Sequence, residues 1–388
     1  MPRTKAVLTG LTVLATASGC SWFAGEPEVE RLDYEEYEQQ LTDTYNESQR
    51  LSDELDEAEI RIVQACLEAQ GFEIHDPYEL GDTEPGERES FMDQPPYDWF
   101  LPSVEDAQRR GFWQWTSIEG YEHVEDGDEL DAEWAAYQAE IGWTTVVFEG
   151  EDEDDLPEFF KQPEEEQYAW YVAYGGETWA AASYSYLTGA EPEGGGDDAE
   201  GESAGPLPPE GCQLEMLEAV YADAIADMEE GWTKHDLRPS PPNGDWTTMT
   251  ERYEEGVAEA EGDLLDCLAE RGHEGWEFYD GGLFVHSYLS EAGDGEYPLN
   301  SYPDAGTKWP DPPSDVPDAD DPQGWLDFER AMAVDFAECG DESGYRDAAV
   351  DSWQQAQLHY YLDVEGATFA WQEQMRELIA QAQDAIGE

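Results

Sequence analysis

Apolar residues recur at helical spacing along most of the 388-residue chain. Residues 30–71 form the first such stretch, with Leu55, Ile62, Val63, Cys66 and Leu67 in register. Gly71 ends it, because glycine accepts positive φ without a Cβ clash. Ser103 caps a short helix that stops before Gly111, and Asp131 to Ile141 reads as another. Pro163 with three glutamates opens a helix running to Tyr174, since proline and acids both suit a first turn. From Cys212 a helix carries Leu214, Leu217, Tyr221, Ile225 and Met228 on one face. The next, 248–271, aligns Met249, Tyr253, Val257, Leu264, Cys267 and Leu268. Asp321-Pro322 starts a helix with Trp325, Phe328, Met332, Phe336 and Cys339 in one stripe.

The last helix, 343–385, is the longest. Its stripe of Ala349, Trp353, Ala356, Tyr360, Val364, Ala367, Trp371, Met375 and Leu378 reads as continuous, with Gly366 as a potential break. At 1.5 Å per residue it spans roughly 60 Å, enough to pack across both halves of the chain. Phe72 to His75, Thr144 to Phe148 and Trp276 to Tyr279 read as short strands. Residues 190–211 are Gly, Pro, Ser and acid, a disordered insertion. Residues 291–322 are a Pro/Asp-rich loop.

Two segments echo each other. Cys66-Leu67-Glu68-Ala69-Gln70-Gly71 and Cys267-Leu268-Ala269-Glu270-Arg271-Gly272 are both helix ends with Cys, then Gly, then a strand-like run. The expected fold class is therefore mainly α with a few short β-strands. It comprises two related helical units, 30–235 and 236–388, and the long C-terminal helix. Four cysteines lie in this body, Cys66, Cys212, Cys267 and Cys339, and four allow three pairings. If each unit is closed by its own bridge, the pairs are Cys66–Cys212 and Cys267–Cys339; a Cys66–Cys267 link would contradict that.

The N-terminus changes the picture of where this body sits. Arg3 and Lys5 precede a short apolar stretch from Ala6 to Ala17, followed by Ala17-Ser18-Gly19-Cys20. This is a signal-peptide pattern over 1–19, and its ending resembles a bacterial lipobox. Ala17 stands where Leu is usual. The lipobox resemblance implies that Cys20 is acylated and becomes the mature N-terminus, with 20–29 as a lipid-anchored tether. Two or more acyl chains hold a protein stably to a bilayer. The body then lies on the extracytoplasmic face of the cell membrane, where an even cysteine count favours disulfides.

Composition adds two constraints. Asp and Glu number 95 against 17 Lys and Arg, a net charge of −78. Removing residues 1–19 takes away two cations and no acid, which makes it −80. Nucleic acid is excluded as a partner, because phosphate binding needs clustered Lys and Arg and Arg109-Arg110 is the only adjacent pair. Leu, Ile, Val and Phe make up only about 16% of the chain, inside the range of disordered chains. The 15 Trp and 21 Tyr argue for folding, with a core built from rings and Leu. The acid surface fits saline surroundings, where added salt shortens the Debye length from about 10 Å at 0.1 M to about 3 Å at 1 M.

No catalytic motif stands out. H-E-x-x-H, the P-loop and the dinucleotide fingerprint are all absent. The six histidines form no i, i+3 or i, i+4 pair, and the acid runs at 151–155 and 315–321 do not follow the EF-hand spacing. No catalytic residue, metal site or cofactor is nominated. Phe112, Trp113 and Trp115, with Trp99-Phe100 upstream, could stack on sugars but are expected in the core.

Several segments together resemble a group of uncharacterised actinobacterial lipoproteins. They are the lipobox cysteine, CLEAQGF at 66–72, DAQRRGF at 106–112, GCQLEMLEAVY at 211–221, the second C-L-x-x-x-G at 267, and FERAMAVDFAEC at 328–339. The resemblance implies a secreted, disulfide-bonded helical protein and no particular activity. The expected function is that of a cell-surface lipoprotein with a binding or structural role. Its partners would be the lipid bilayer, through the acylated N-terminus, and an envelope ligand or protein. The alternatives are a cell-wall polymer-acting enzyme using carboxylates and a low-affinity divalent-cation-binding surface protein.

Overall fold

The computed structural model describes residues 31–81, 87–118, 120–140, 156–184, 187, 209–226, 234–279, 281–289, 309–311, 313, 316–318 and 320–387. Cys20, the tether, the strand expected at 144–148 and the insertion at 190–208 lie outside the described residues.

The described chain is mostly helical. Helix α1, Tyr34–Ala69, starts at the Asp33 cap, whose carboxylate accepts from Glu35 N–H. Helices α2 (Val104–Arg110) and α3 (Gly127–Glu140) follow. Ser103 caps α2 through Asp106 N–H at 3.0 Å. Helices α4 (Glu164–Gly175) and α5 (Glu177–Ser183) form a short pair. Then come α6 (Gly211–Ala226), α7 (Lys234–Leu237), α8 (Trp246–Glu270) and α9 (Val285–Leu289). Helix α10 (Pro322–Glu342) is capped by Asp321, which accepts from Gly324 N–H, so that part of the 315–321 acid run serves as a helix start. Helix α11, Tyr345–Gly387, continues through Gly366 without a break.

The strands expected at 72–75 and 276–279 do not form. Among the described residues the only β pairing is a single bridge, Tyr279 to Gly282. Phe72 and Trp276 instead turn into the cores directly after the helix ends. No neighbouring strand is present among the described residues to accept a ladder, and an isolated extended segment gains nothing from its alternating pattern.

The echo between the two Cys-Leu segments has a local cause. Gly71 and Gly272 have φ of +100° and +95°. Behind them Phe72 N–H bonds Leu67 O at 3.1 Å, and His273 N–H bonds Leu268 O at 2.9 Å. This is the Schellman closure of a helix end. The likeness stops there. Cys66 meets Cys212 in the first turn of α6, with Cα atoms 5.7 Å apart. Cys267 meets Cys339 near the last turn of α10, with Cα atoms 5.6 Å apart. The two bridges thus join opposite ends of their partner helices.

Asp33–Glu388 forms one compact unit, so the boundary drawn at 235/236 coincides with no break in packing. Its interior holds two large clusters. The first gathers Leu55 and Val63 of α1, Trp170 and Tyr171 of α4, and Leu217 and Val220 of α6. Trp371, Met375 and Ile379 from the end of α11 complete it. The second joins Phe100 and Phe112 to Tyr253 and Leu264 of α8, Phe336 of α10, and Tyr345, Ala349 and Trp353 from the start of α11. Each cluster therefore draws on both halves of the sequence. Rings dominate, with Trp115, Trp170 and Trp325 among the largest fully buried side chains. Trp113 and Trp115 belong to a third, smaller cluster with Trp325, so they are core and present no platform to a sugar.

A chain so poor in cations has to stabilise inward carboxylates differently. Tyrosine hydroxyls do much of this. Tyr171 donates to buried Asp76 at 2.5 Å, Tyr184 to Glu79 at 2.7 Å, and Tyr221 to buried Glu59. Hydrogen bonds to charged groups contribute about 1.5–3 kcal/mol each. Tyr171→Phe, which keeps the ring and removes only the hydroxyl, is expected to lower stability by about that amount, read as a shift of the urea midpoint at unchanged slope. A shift below about 0.5 kcal/mol would show that the Tyr78 N–H, 2.8 Å from Asp76, suffices for this carboxylate.

Candidate functional site

The stripe read along α11 is interrupted. Buried positions recur from Tyr345 to Leu358 and again from Trp371 to Ala382, and none lies between. Val364 is half-buried and Ala367 exposed, against the expectation of a continuous core face. The two clusters claim the two ends of the helix, and its middle turns line a cleft of about 310 Å³. The opposite wall is the middle of α1, with Thr44, Tyr45, Ser48 and Gln49, and Pro241, Pro242 and Asn243 close one side.

Each wall is held by its own bonds. The segment 88–93 is tied to α1 twice at Asn46, whose amide bonds Arg88 O at 2.9 Å and Arg88 N–H at 3.0 Å. Buried Phe91 anchors it, donating its N–H to Thr42 Oγ1 at 3.1 Å. Trp353 Nε1 then bonds Asp93 O at 3.0 Å. The proline segment is held by Trp371 Nε1, which donates to Pro239 O at 2.9 Å. Gly244 lies so close to the Tyr360 ring that a Cβ there would fall 2.6 Å from it.

Rings run along the cleft. Tyr360 and Tyr361 meet edge to face with centroids 5.2 Å apart. Trp246, at 56% the most exposed of the large hydrophobic side chains described, meets the Tyr360 ring with centroids 6.3 Å apart. Two carboxylates also line the cleft, Asp93 and Glu365. Asp93 pairs with Arg88 at 3.0 Å and accepts from the Tyr361 hydroxyl at 3.0 Å. Glu365 accepts from the Gln40 amide. Burial, with the adjacent Asp93 charge, pushes the Tyr361 hydroxyl well above the usual tyrosine range, so at neutral pH it is a donor.

The buried carboxylates lie elsewhere. Glu59 and Asp76 are bonded to Tyr221 and Tyr171 of the first cluster, Glu329 is buried on α10, and none of the three lines the cleft. Glu329 is fully buried on α10 beneath residues 111–115, accepting from Phe112 N–H at 3.2 Å and Gln114 N–H at 3.1 Å. Burial pushes its carboxyl up to about 8, the three backbone donors of Phe112, Gln114 and Trp115 opposing. Two of the segments that carry the lipoprotein resemblance meet here. A Cβ at Gly111 would lie 2.9 Å from the Glu329 Cβ, so only glycine fits.

The four body cysteines are all consumed in bridges. Among the described residues no group of three or more His, Cys, Asp or Glu is placed to hold a metal ion. No helix among them is long and apolar enough to cross a membrane. Sequence reasoning missed the cleft because its walls come from segments more than a hundred residues apart. Glu329 did leave a signal. It lies four residues after Trp325 and three before Met332, an acid on an apolar stripe. Comparison with known proteins adds no relative: no family, no curated protein and no solved structure matches the chain.

Proposed function

We propose that this is a lipid-anchored envelope protein of the extracytoplasmic face that binds a small ligand in the cleft between α1 and α11. The observation that carries the binding role is the cleft itself. It lies where α11 leaves both cores, and it combines ring faces with amide and hydroxyl groups, the usual make-up of a small-molecule site. Binding is favoured over carboxylate catalysis because Asp93 is already engaged by Arg88 and Tyr361. A general acid and base would need two carboxylates of contrasting environment.

The anchoring half of the proposal rests on the Arg3 to Cys20 pattern and on the resemblance to actinobacterial lipoproteins. The paired cysteines suit an oxidising compartment. The test is metabolic labelling of the full chain in a bacterial host with a radioactive fatty acid. Wild type is expected in the membrane fraction with label, and Cys20→Ala without label. Equal labelling of both would remove Cys20 as the anchor.

A further inference from the structure

The rim of the cleft already carries one organic cation. The Arg88 guanidinium carbon lies 4.5 Å from the centroid of the Tyr45 ring while Arg88 pairs with Asp93 at 3.0 Å. Ring face and carboxylate together hold a cation there. The interior of the cleft repeats those ingredients with Tyr360, Tyr361 and Glu365, and among the described residues no Lys or Arg lines it. A ring face attracts a cation through its quadrupole, and most strongly where water is excluded. The surrounding chain carries −78, so its field concentrates cations and depletes anions in any concave site. A bare metal ion would be poorly served, because the wall is largely apolar and no cluster of three ligating side chains occurs among the described residues.

We infer that the cleft between α1 and α11 binds a small organic cation with an apolar shell, of the quaternary ammonium type, on the Tyr360 and Tyr361 rings with Glu365 as counter-charge. This rests on the cleft being a binding site, as proposed above, and adds the class of ligand. Both tyrosines line the cleft, and the exposed Trp246 ring meets Tyr360. Glu365 keeps its second oxygen for the ligand beside the bond from Gln40.

Isothermal titration of the full chain with choline tests this, against its uncharged isostere 3,3-dimethyl-1-butanol and against cellobiose. Work in 1 M NaCl removes diffuse condensation on the acid surface, because the Debye length there is only about 3 Å. Choline is expected to give saturable one-to-one binding, and the neutral isostere at least about tenfold weaker binding, or about 1.4 kcal/mol. Tyr360→Leu, which removes the ring and keeps bulk, and Glu365→Gln are each expected to weaken choline by several-fold or more. Both positions are only half-buried, and unchanged melting would confirm that the variants fold. Equal binding of choline and its isostere, or choline binding unchanged in both variants, overturns the inference. Saturable cellobiose with no choline binding overturns the cation and leaves the cleft as a saccharide site. No saturable heat from any of the three overturns the binding reading as well.

Discussion

Replacing Cys66 and Cys212 together with alanine is expected to destabilise the protein by about 5 kcal/mol, more than loss of the other bridge. The bridge closes a loop of 146 residues, and an unfolded chain so constrained has far fewer conformations to gain. Cys267–Cys339 spans 72 residues, for which the same entropic argument gives about 4 kcal/mol. The Cys66 bridge has a second role. It fastens the last turn of α1 to the first turn of α6, and both helices face the first core. Urea unfolding followed by tryptophan fluorescence is the measurement. The alanine pair should unfold at lower urea, with a steeper slope, because the unfolded chain exposes more surface once the crosslink is gone. An unchanged midpoint would mean that packing alone fixes α6 on α1.

The second large effect concerns pH. Glu329 titrates at about 8 in the folded protein against 4.5 for the ordinary side chain. The folded state therefore keeps its proton while the unfolded chain releases it. Below about pH 4.5 both states are protonated and the group has no effect. From there to about pH 8 wild type loses stability with rising pH, at about 1.4 kcal/mol per unit, and above pH 8 the loss is complete. Summed over that window it amounts to several kcal/mol, on the order of 3–5. Glu329→Gln keeps an acceptor for Phe112 and Gln114 and carries no charge at any pH. Relative to wild type it should therefore gain stability steadily across about pH 5–8. Glu329→Ala instead leaves these backbone donors unpaired in a void, and should cost about 2–5 kcal/mol at about pH 5. Chemical denaturation at several pH values separates these outcomes. Parallel curves for wild type and Glu329→Gln would sink the argument.

Much of the helical layout is legible in the residues alone. The Ser103 and Asp321 starts, the Gly71 and Gly272 stops and the 3.6-residue stripes are local signals, and local bonds satisfy them wherever the helix later packs. The same locality explains the misreadings. The echo around Cys66 and Cys267 has the look of duplication, yet a helix end closed by glycine produces it without common topology. The runs at 72–75 and 276–279 have strand composition, but a strand needs a partner that composition cannot supply. Val364 and Ala367 have core periodicity, but periodicity marks a helix face and not what lies against it.

The sequence alone settled the longer helices, the acid surface and the ring-rich interior. These follow from local backbone chemistry and from which side chains leave water most readily. Tertiary packing settled which cysteines meet, why Glu329 holds its proton, and where the cleft opens. All three depend on segments far apart in the chain being brought together. In α11 the reason is plain: two cores occupy its ends, and the turns between them are left facing Tyr45 and the proline segment across open space.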